Sequence, residues 1–242
     1  MIKFNINMKK TTMILCCTAA AAMLVAGCRN NVKKGGEAAP EETEETTEII
    51  LSDTDSTAAG VSVITLSDLP EEPVFDMETS LGTIKIKLYK DTPKHRENFA
   101  KLALGGFYDG LLFHRVIDGF MIQGGDPYTR DSSKRAEYGT GGPGFTIPAE
   151  FVPEHRHKKG ALAAARMGDM ANPMKESSGS QFYLVQEPAN CSHLDGEYTV
   201  FGETLSGLEV IDRIAAVPTD RMGLPEEDVR IISIKVDKSC LK

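Results

Sequence analysis

Phe113-His114-Arg115-Val116-Ile117-Asp118-Gly119-Phe120-Met121-Ile122-Gln123-Gly124-Gly125-Asp126 brings an arginine, two aromatic rings, a methionine and a glutamine into one short segment. Its apolar positions predict two strands, Leu112 to Val116 and Phe120 to Gln123, joined by a turn. Successive side chains of a strand point to opposite faces. Phe113, Arg115 and Ile117 are therefore expected on one face, as are Met121 and Gln123 beyond the turn. On these residues alone, Arg115 also has a plain structural role open to it, pairing with one of the chain's acids.

The surrounding sequence is of the same kind. Val74 to Thr79 and Thr83 to Leu88 alternate polar and apolar residues around Ser80-Leu81-Gly82, which predicts a hairpin. Thr92-Pro93 offers an N-cap and a first-turn proline. Phe99, Leu102 and Ala103 supply an apolar helix face, and Gly105-Gly106 ends it. Further strands are predicted at Ala161 to Ala165, Phe182 to Val185, Thr199 to Phe201 and Val229 to Val236. A second helix is predicted over Gly207 to Ala216, where Leu208, Ile211, Ile214 and Ala215 recur at helical spacing. Many short strands with two helices imply a closed barrel or a sandwich.

The 242 residues carry a net charge of −8 and are 41% hydrophobic, enough for one good core. The charge is unevenly spread. Residues 1–27 hold three lysines and no acid, whereas residues 29–73 hold three basic residues and eleven acids. Residues 74–242 are close to neutral. An acidic chain is poorly suited to coating nucleic acid, and no apolar run reaches the ~18 residues of a spanning helix.

Lys9-Lys10, the apolar stretch Met13 to Ala26 and the small residues after it have the three-part build of an export signal, with either Met1 or Met8 as its start. Leu24-Val25-Ala26-Gly27-Cys28 resembles a bacterial lipobox, in which the cysteine receives lipid. Residues 1–27 are thus expected to be a lipoprotein signal peptide, and Cys28 the lipidated residue anchoring the protein to a membrane. Arg29, where an aspartate would imply inner-membrane retention, favours the outer membrane, facing the periplasm. Residues 28–73, with Glu41-Glu42-Thr43-Glu44-Glu45, are expected to be a disordered acidic tether reaching roughly 35–40 Å. Within it, Ile49-Ile50-Leu51 and Val61 to Leu66 have strand-like composition. Of the five cysteines only Cys191 and Cys240 fall in the neutral region, and their spacing leaves pairing and two free thiols equally open.

Several chemistries lack their motifs. There is no Gly-x-Ser-x-Gly, and Gly139-Thr140-Gly141-Gly142-Pro143-Gly144 lacks the Lys-Ser/Thr of a phosphate loop, so it reads as a turn-rich surface loop. His155-Arg156-His157-Lys158-Lys159 reads as an exposed basic strip in preference to a metal site.

The stretch from Phe113 to Asp126 closely resembles the signature of the cyclophilin family of peptidyl-prolyl cis–trans isomerases. Gly160 to Arg166 followed by Ser178-Gly179-Ser180-Gln181-Phe182-Tyr183 is a second match, and Leu194-Asp195-Gly196-Glu197-Tyr198-Thr199-Val200-Phe201-Gly202 a third. The resemblance runs over residues 73–237 in order. It implies a mainly β fold for residues 74–242, a closed eight-stranded antiparallel β-barrel capped by two α-helices. It also implies catalysis of rotation about Xaa-Pro bonds, with no metal or cofactor.

By the same resemblance Arg115 matches the catalytic arginine, and Gln123 would hold the carbonyl side and orient Arg115. Phe120, Met121, Tyr183 and Leu194 match the proline pocket. Ala165 and Arg166 would offer backbone pairing to substrate, with Gln181 nearby. His193 stands where the best-known members carry a tryptophan that contributes to cyclosporin binding, so tight binding of that drug is not implied. Tyr183 and Tyr198 stand in place of a phenylalanine and a histidine, and Arg166 in place of an asparagine. Two readings of Arg166 remain: a preference for acidic substrates, or a solvated surface arginine. The expected partners are proline-containing polypeptides of the cell envelope, with the domain itself monomeric. A pure binding module and a structural envelope lipoprotein are the rival readings. Neither uses the Arg115 and Gln123 pair.

Overall fold

The computed structural model describes residues 64–241. The export signal, Cys28, the acidic run and Ile49-Ile50-Leu51 lie outside the described residues. Ile64 to Pro73, read above as the end of the tether, belong to the packed body. Leu66–Asp68 form a 3-10 turn, and Ile64 and Leu69 pack on the main core. The Pro73 carbonyl accepts from Leu88 N–H (3.0 Å).

Strands β1 (Val74–Thr79) and β2 (Gly82–Leu88) form the expected hairpin, with Thr79 opposite Gly82. Helix α1 (Pro93–Leu104) follows, then β3 (Arg115–Ile117), β4 (Met121–Gly124), β5 (Thr146–Ile147), β6 (Ala161–Ala164), β7 (Ser177–Ser178), β8 (Phe182–Val185), β9 (Val200–Ser206), α2 (Leu208–Ala215) and β10 (Ile231–Val236). Eight strands make one antiparallel sheet in the order β10-β1-β2-β9-β6-β8-β4-β3, and β5 pairs with β7 apart from it. The ladder therefore has two ends, β3 and β10, and is a curled open sheet instead of the continuously closed barrel expected. β3 and β10 form no ladder with each other; the segment before β3 meets the start of β10 through Gly110 N–H to Ile231 O (2.8 Å), Ile231 N–H to Leu111 O (2.8 Å) and Phe113 N–H to Val229 O (2.9 Å). An isolated bridge from Leu112 to Arg230 links the residues that precede these two strands.

Alternation sorts the side chains. Phe75, Met77, Ile84, Ile86 and Leu88 of the hairpin enter one large core with Ile122, Leu162, Phe182 and Leu184. Met121, Ala163, Tyr183 and Val185 point the other way into a second, smaller cluster. β6 and β8 are buried on both faces, which explains their unbroken apolar sequences. Phe99 of α1 fastens the helix to the sheet through Phe75, Phe182 and Phe201, whose ring centroids lie 5.6–6.1 Å away.

Two local expectations are corrected. Phe113 does not share a face with Arg115. It is fully buried in the large core, because β3 begins only at Arg115 and the strand period does not extend back through His114. The N-cap of α1 is not the Thr92 hydroxyl, which makes no cap hydrogen bond. The Glu150 carboxylate, distant in sequence, accepts from the Lys94 and His95 N–H groups (3.1 and 3.0 Å) and from His95 Nδ1 (2.7 Å). A charged acceptor at a helix N-terminus satisfies orphan donors and complements the dipole.

Candidate active site

The register of four strands lays one row of residues across the sheet. Arg115 is opposite Gln123, Gln123 opposite Tyr183, and Tyr183 opposite Ala163. In the next row Ile117 faces Met121, and Met121 faces Val185. These rows lie under a cleft of about 280 Å³ that Arg115, Gln123, Met121 and Tyr183 line from the sheet. The turn after β3 contributes Phe120, and the 3-10 turn Ser192–Leu194 contributes His193 and Leu194. Ala165, Arg166 and Tyr198 complete the wall. All of the expected catalytic and substrate-binding residues except Gln181 thus reach one cleft.

Gln181 stands one step behind it. Its Nε2 donates to the carbonyls of Gly139 (3.0 Å) and Gly141 (2.7 Å). Its Oε1 is therefore left to accept from Gln123 Nε2 (3.0 Å). That fixes the Gln123 amide so that its Oε1 accepts from an Arg115 guanidinium N–H (3.3 Å). The glycine-rich loop is fixed in turn by the fully buried carboxylate of Asp126, which accepts from the N–H groups of Gly139, Gly141 (3.1 Å) and Tyr128 (2.8 Å). A Cβ on Gly141 would stand 2.1 Å from Asp126 Oδ1, so this position requires glycine. Gly139 to Gly144 is therefore more than a surface loop. It sets the far end of a chain of amides that ends at Arg115.

Arg115 is half-buried. Burial lowers its pKa, Tyr198 opposes that shift, and a guanidinium keeps its charge. Its Cζ lies 5.9 Å from the centre of the Phe120 ring. Arg166 does not fit the second reading given above. Its side chain is only 4% exposed. It covers the Tyr198 ring at 4.4 Å and contacts the carboxylates of Asp169 (2.6 Å) and Glu197 (3.5 Å). Its charge is matched by these two carboxylates, so it is not a solvated surface arginine, although it lines the cleft. The Ala165 N–H donates to the Gln181 carbonyl (3.0 Å) and its C=O accepts from Ser178 N–H (2.8 Å). Of the expected backbone pair, Ala165 is thus already engaged.

His157 was misread as part of an exposed strip. It is 3% exposed. Its Nδ1 meets Asp195 Oδ1 (2.8 Å) and its Nε2 the Tyr183 hydroxyl (2.8 Å). With Nδ1–H donating to Asp195, Nε2 accepts from the Tyr183 hydroxyl, which turns that hydroxyl away from the cleft and leaves the ring as its wall. His155 faces elsewhere, stacked on Tyr89 at 4.0 Å. Nothing in the local sequence announces the Asp195–His157–Tyr183 chain; the second match contains Tyr183 and the third Asp195, but neither includes His157. Cys191 and Cys240 are unpaired. Burial and nearby acids push the Cys191 thiol up to about 11.

Residues 74–236 match the profile of the family described as cyclophilin type peptidyl-prolyl cis-trans isomerase/CLD. The peptidyl-prolyl cis-trans isomerase-like 1 of Neurospora crassa is 38% identical over 161 residues, 66% of this chain and 91% of that protein. A peptidyl-prolyl cis-trans isomerase of Helicobacter pylori is 44% identical over 142 residues, 57% of this chain and 77% of that one. Among solved structures, a cyclophilin type peptidyl-prolyl cis-trans isomerase of Cryptosporidium parvum matches with a TM-score of 0.60 at 29% identity, covering 69% of this chain and 98% of that chain. The same protein in the presence of the dipeptide Ala-Pro matches at 0.59, with 29% identity and coverage of 68% and 98%.

Buried histidines beside the cleft, and an ion-paired glutamate outside it, set the protein's response to acid. Burial holds His114 below the ordinary 6.5, and it does the same to His157 against the pull of Asp195. A histidine depressed in the folded state binds its proton more readily once unfolded, so stability is lost as pH falls from about 6.5. Glu203 resists burial through Lys158 and Lys87 and is held down to about 2, so its contribution is lost only from about 4.5 downward. Denaturant midpoints are expected to be level above about pH 7 and to fall first below about 6.5, then again below about 4.5. A midpoint unchanged between pH 7 and 5 would contradict this assignment.

Proposed function

The chain belongs to the cyclophilin-type peptidyl-prolyl cis–trans isomerase family, and from that premise we propose that the cleft between Arg115 and Tyr198 is where it turns Xaa-Pro bonds. A peptide C–N bond resists rotation by about 18–20 kcal/mol because of its double-bond character. At proline the two isomers are close in energy, yet they exchange over tens of seconds. Catalysis must weaken the resonance without breaking a bond.

In the twisted state the prolyl nitrogen becomes pyramidal and exposes a lone pair that neither planar isomer offers. A guanidinium N–H of Arg115 donates to it there, an interaction present in the transition state and absent from both ground states. Phe120, Met121 and Leu194 give the pyrrolidine ring apolar contacts and exclude water, which strengthens that hydrogen bond. The observation that carries this reading is the Arg115–Gln123 hydrogen bond beside the apolar side chains of Phe120, Met121 and Leu194 in one cleft. The geometry supports Gln123 as the residue that orients Arg115. Its own N–H donors face Gln181 and His114. No metal, nucleotide or covalent intermediate enters this route.

The sequence further supports a lipid anchor at Cys28, after a signal over residues 1–27, followed by an acidic spacer read over residues 28–73, the last part of which packs on the domain. On this reading the monomeric isomerase domain works in the cell envelope, at the periplasmic face of the outer membrane. Its substrates are unfolded or surface-exposed proline-containing chains, whose folding it assists.

Replacing Arg115 with alanine in the full-length protein is expected to lower cis–trans exchange of a proline peptide roughly 10²–10³-fold, by analogy with the loss of one transition-state donor. Peptide affinity measured by titration is expected to stay within a fewfold. Unchanged exchange would remove Arg115 from the chemistry, and no exchange by the unmodified protein would refute the isomerase reading. For the anchor, Cys28→Ala is expected to abolish labelling by a fatty-acid probe in cells; retained labelling would refute the lipobox.

A further inference from the structure

Met77 and Met121 are buried, but Met167, Met170 and Met174 all stand on one short loop and are 67%, 104% and 76% exposed. Soluble surfaces seldom gather large apolar side chains in this way without a partner. The loop is not loose. Gly168 O accepts from the N–H groups of Ala171 and Asn172 (3.0 Å each). The Asn172 side chain closes a double hydrogen bond on the Glu176 backbone (2.7 and 3.0 Å). Lys175 holds a left-handed backbone (φ 54°), the only non-glycine among the described residues to do so. Polar groups are thus spent inside the loop while the thioethers point out, with local strain retained.

Both ends of the loop stand on the cleft rim. Arg166, which precedes Met167, and Lys175, which follows Met174, converge on the Glu197 carboxylate beside Tyr198. Phe145, 51% exposed, adds a further apolar surface at the same end. Its neighbour Thr146 pairs with Ser178 and bonds Glu176.

We propose that the Met167–Met174 loop is an apolar extension of the cleft, which holds the hydrophobic residues flanking proline in an unfolded polypeptide. The inference rests on the isomerase reading and deepens it by naming the substrate class. Continuity with the cleft selects this occupant: a chain whose proline lies between Arg115 and Leu194 continues past Arg166 onto the loop. Unbranched, polarizable thioethers adapt to many apolar side chains, which suits a catalyst that meets varied sequences.

The test is the triple variant Met167→Gln, Met170→Gln, Met174→Gln in the full-length protein. All three side chains are exposed, so the fold does not depend on them. Two probes are used: a proline tetrapeptide, which stays within the cleft, and a longer peptide of about a dozen residues with leucine and phenylalanine on both sides of proline. The variant is expected to raise KM for the long peptide about tenfold, with the tetrapeptide unchanged within about twofold. Unchanged KM for the long peptide, or an equal change for both, would overturn the proposal. If that result came with lost retention on phosphatidylglycerol vesicles, compared in a Cys28→Ala background that lacks the anchor, the methionines would face lipid instead. No exchange of the tetrapeptide by the unmodified protein would overturn the isomerase reading itself, an outcome distinct from failure of the loop alone.

Discussion

A carboxylate that has left water must be fully hydrogen-bonded, and the buried Asp126 meets that demand with backbone N–H groups of three residues, Tyr128, Gly139 and Gly141. The glycine-rich loop is closed over it as a result. Carbonyls of that loop take both donors of Gln181, which leaves Gln181 a single way to face Gln123. Gln123 then has a single way to face Arg115. Each link is an ordinary hydrogen bond of modest net worth. Their joint effect is to remove rotational freedom from a flexible guanidinium before a substrate arrives. Pre-organised donors of this kind lose little to reorganisation at the moment of reaction.

The same demand shapes the opposite wall. Tyr183 brings a hydroxyl to the apolar side of the sheet, and His157 with Asp195 absorbs it. Arg166 brings a full charge, which Asp169 and Glu197 neutralise while its plane covers Tyr198. Both polar insertions in this wall are thus satisfied from behind. The face offered to a pyrrolidine ring stays apolar, with Arg115 as the cation left in reach of it.

Local signals in the sequence were strong wherever structure depends on near neighbours. The β1–β2 hairpin, both helices and β8 follow from alternation, spacing and turn residues over short windows. The pair Arg115 and Gln123 was legible through a motif, because eight residues separate them and one turn joins them. What escaped depends on distant partners. Glu150 caps α1 in place of Thr92, Asp195 reaches back to His157, and Asp126 reaches forward to Gly141. Phe113 was assigned to the wrong face because the strand period was carried through His114, where the ladder has not yet begun. Arg166 was weighed only by its type, and its burial depends on Glu197 thirty-one positions away. The open ladder was hidden for a like reason. The number of strands is written locally, but whether the end strands pair depends on residues far apart in the chain.

The central claim is that a positioned fork, and not merely a positive charge, acts at Arg115. The direct measurement is on-enzyme cis–trans exchange of a bound proline peptide by magnetization-exchange NMR, together with its Kd, for Arg115→Lys. A lysine keeps the charge but lacks the planar, amide-held fork. If the fork acts, exchange falls by roughly 10²-fold or more while Kd changes by less than about threefold. Exchange retained within a fewfold of the unmodified protein would contradict it.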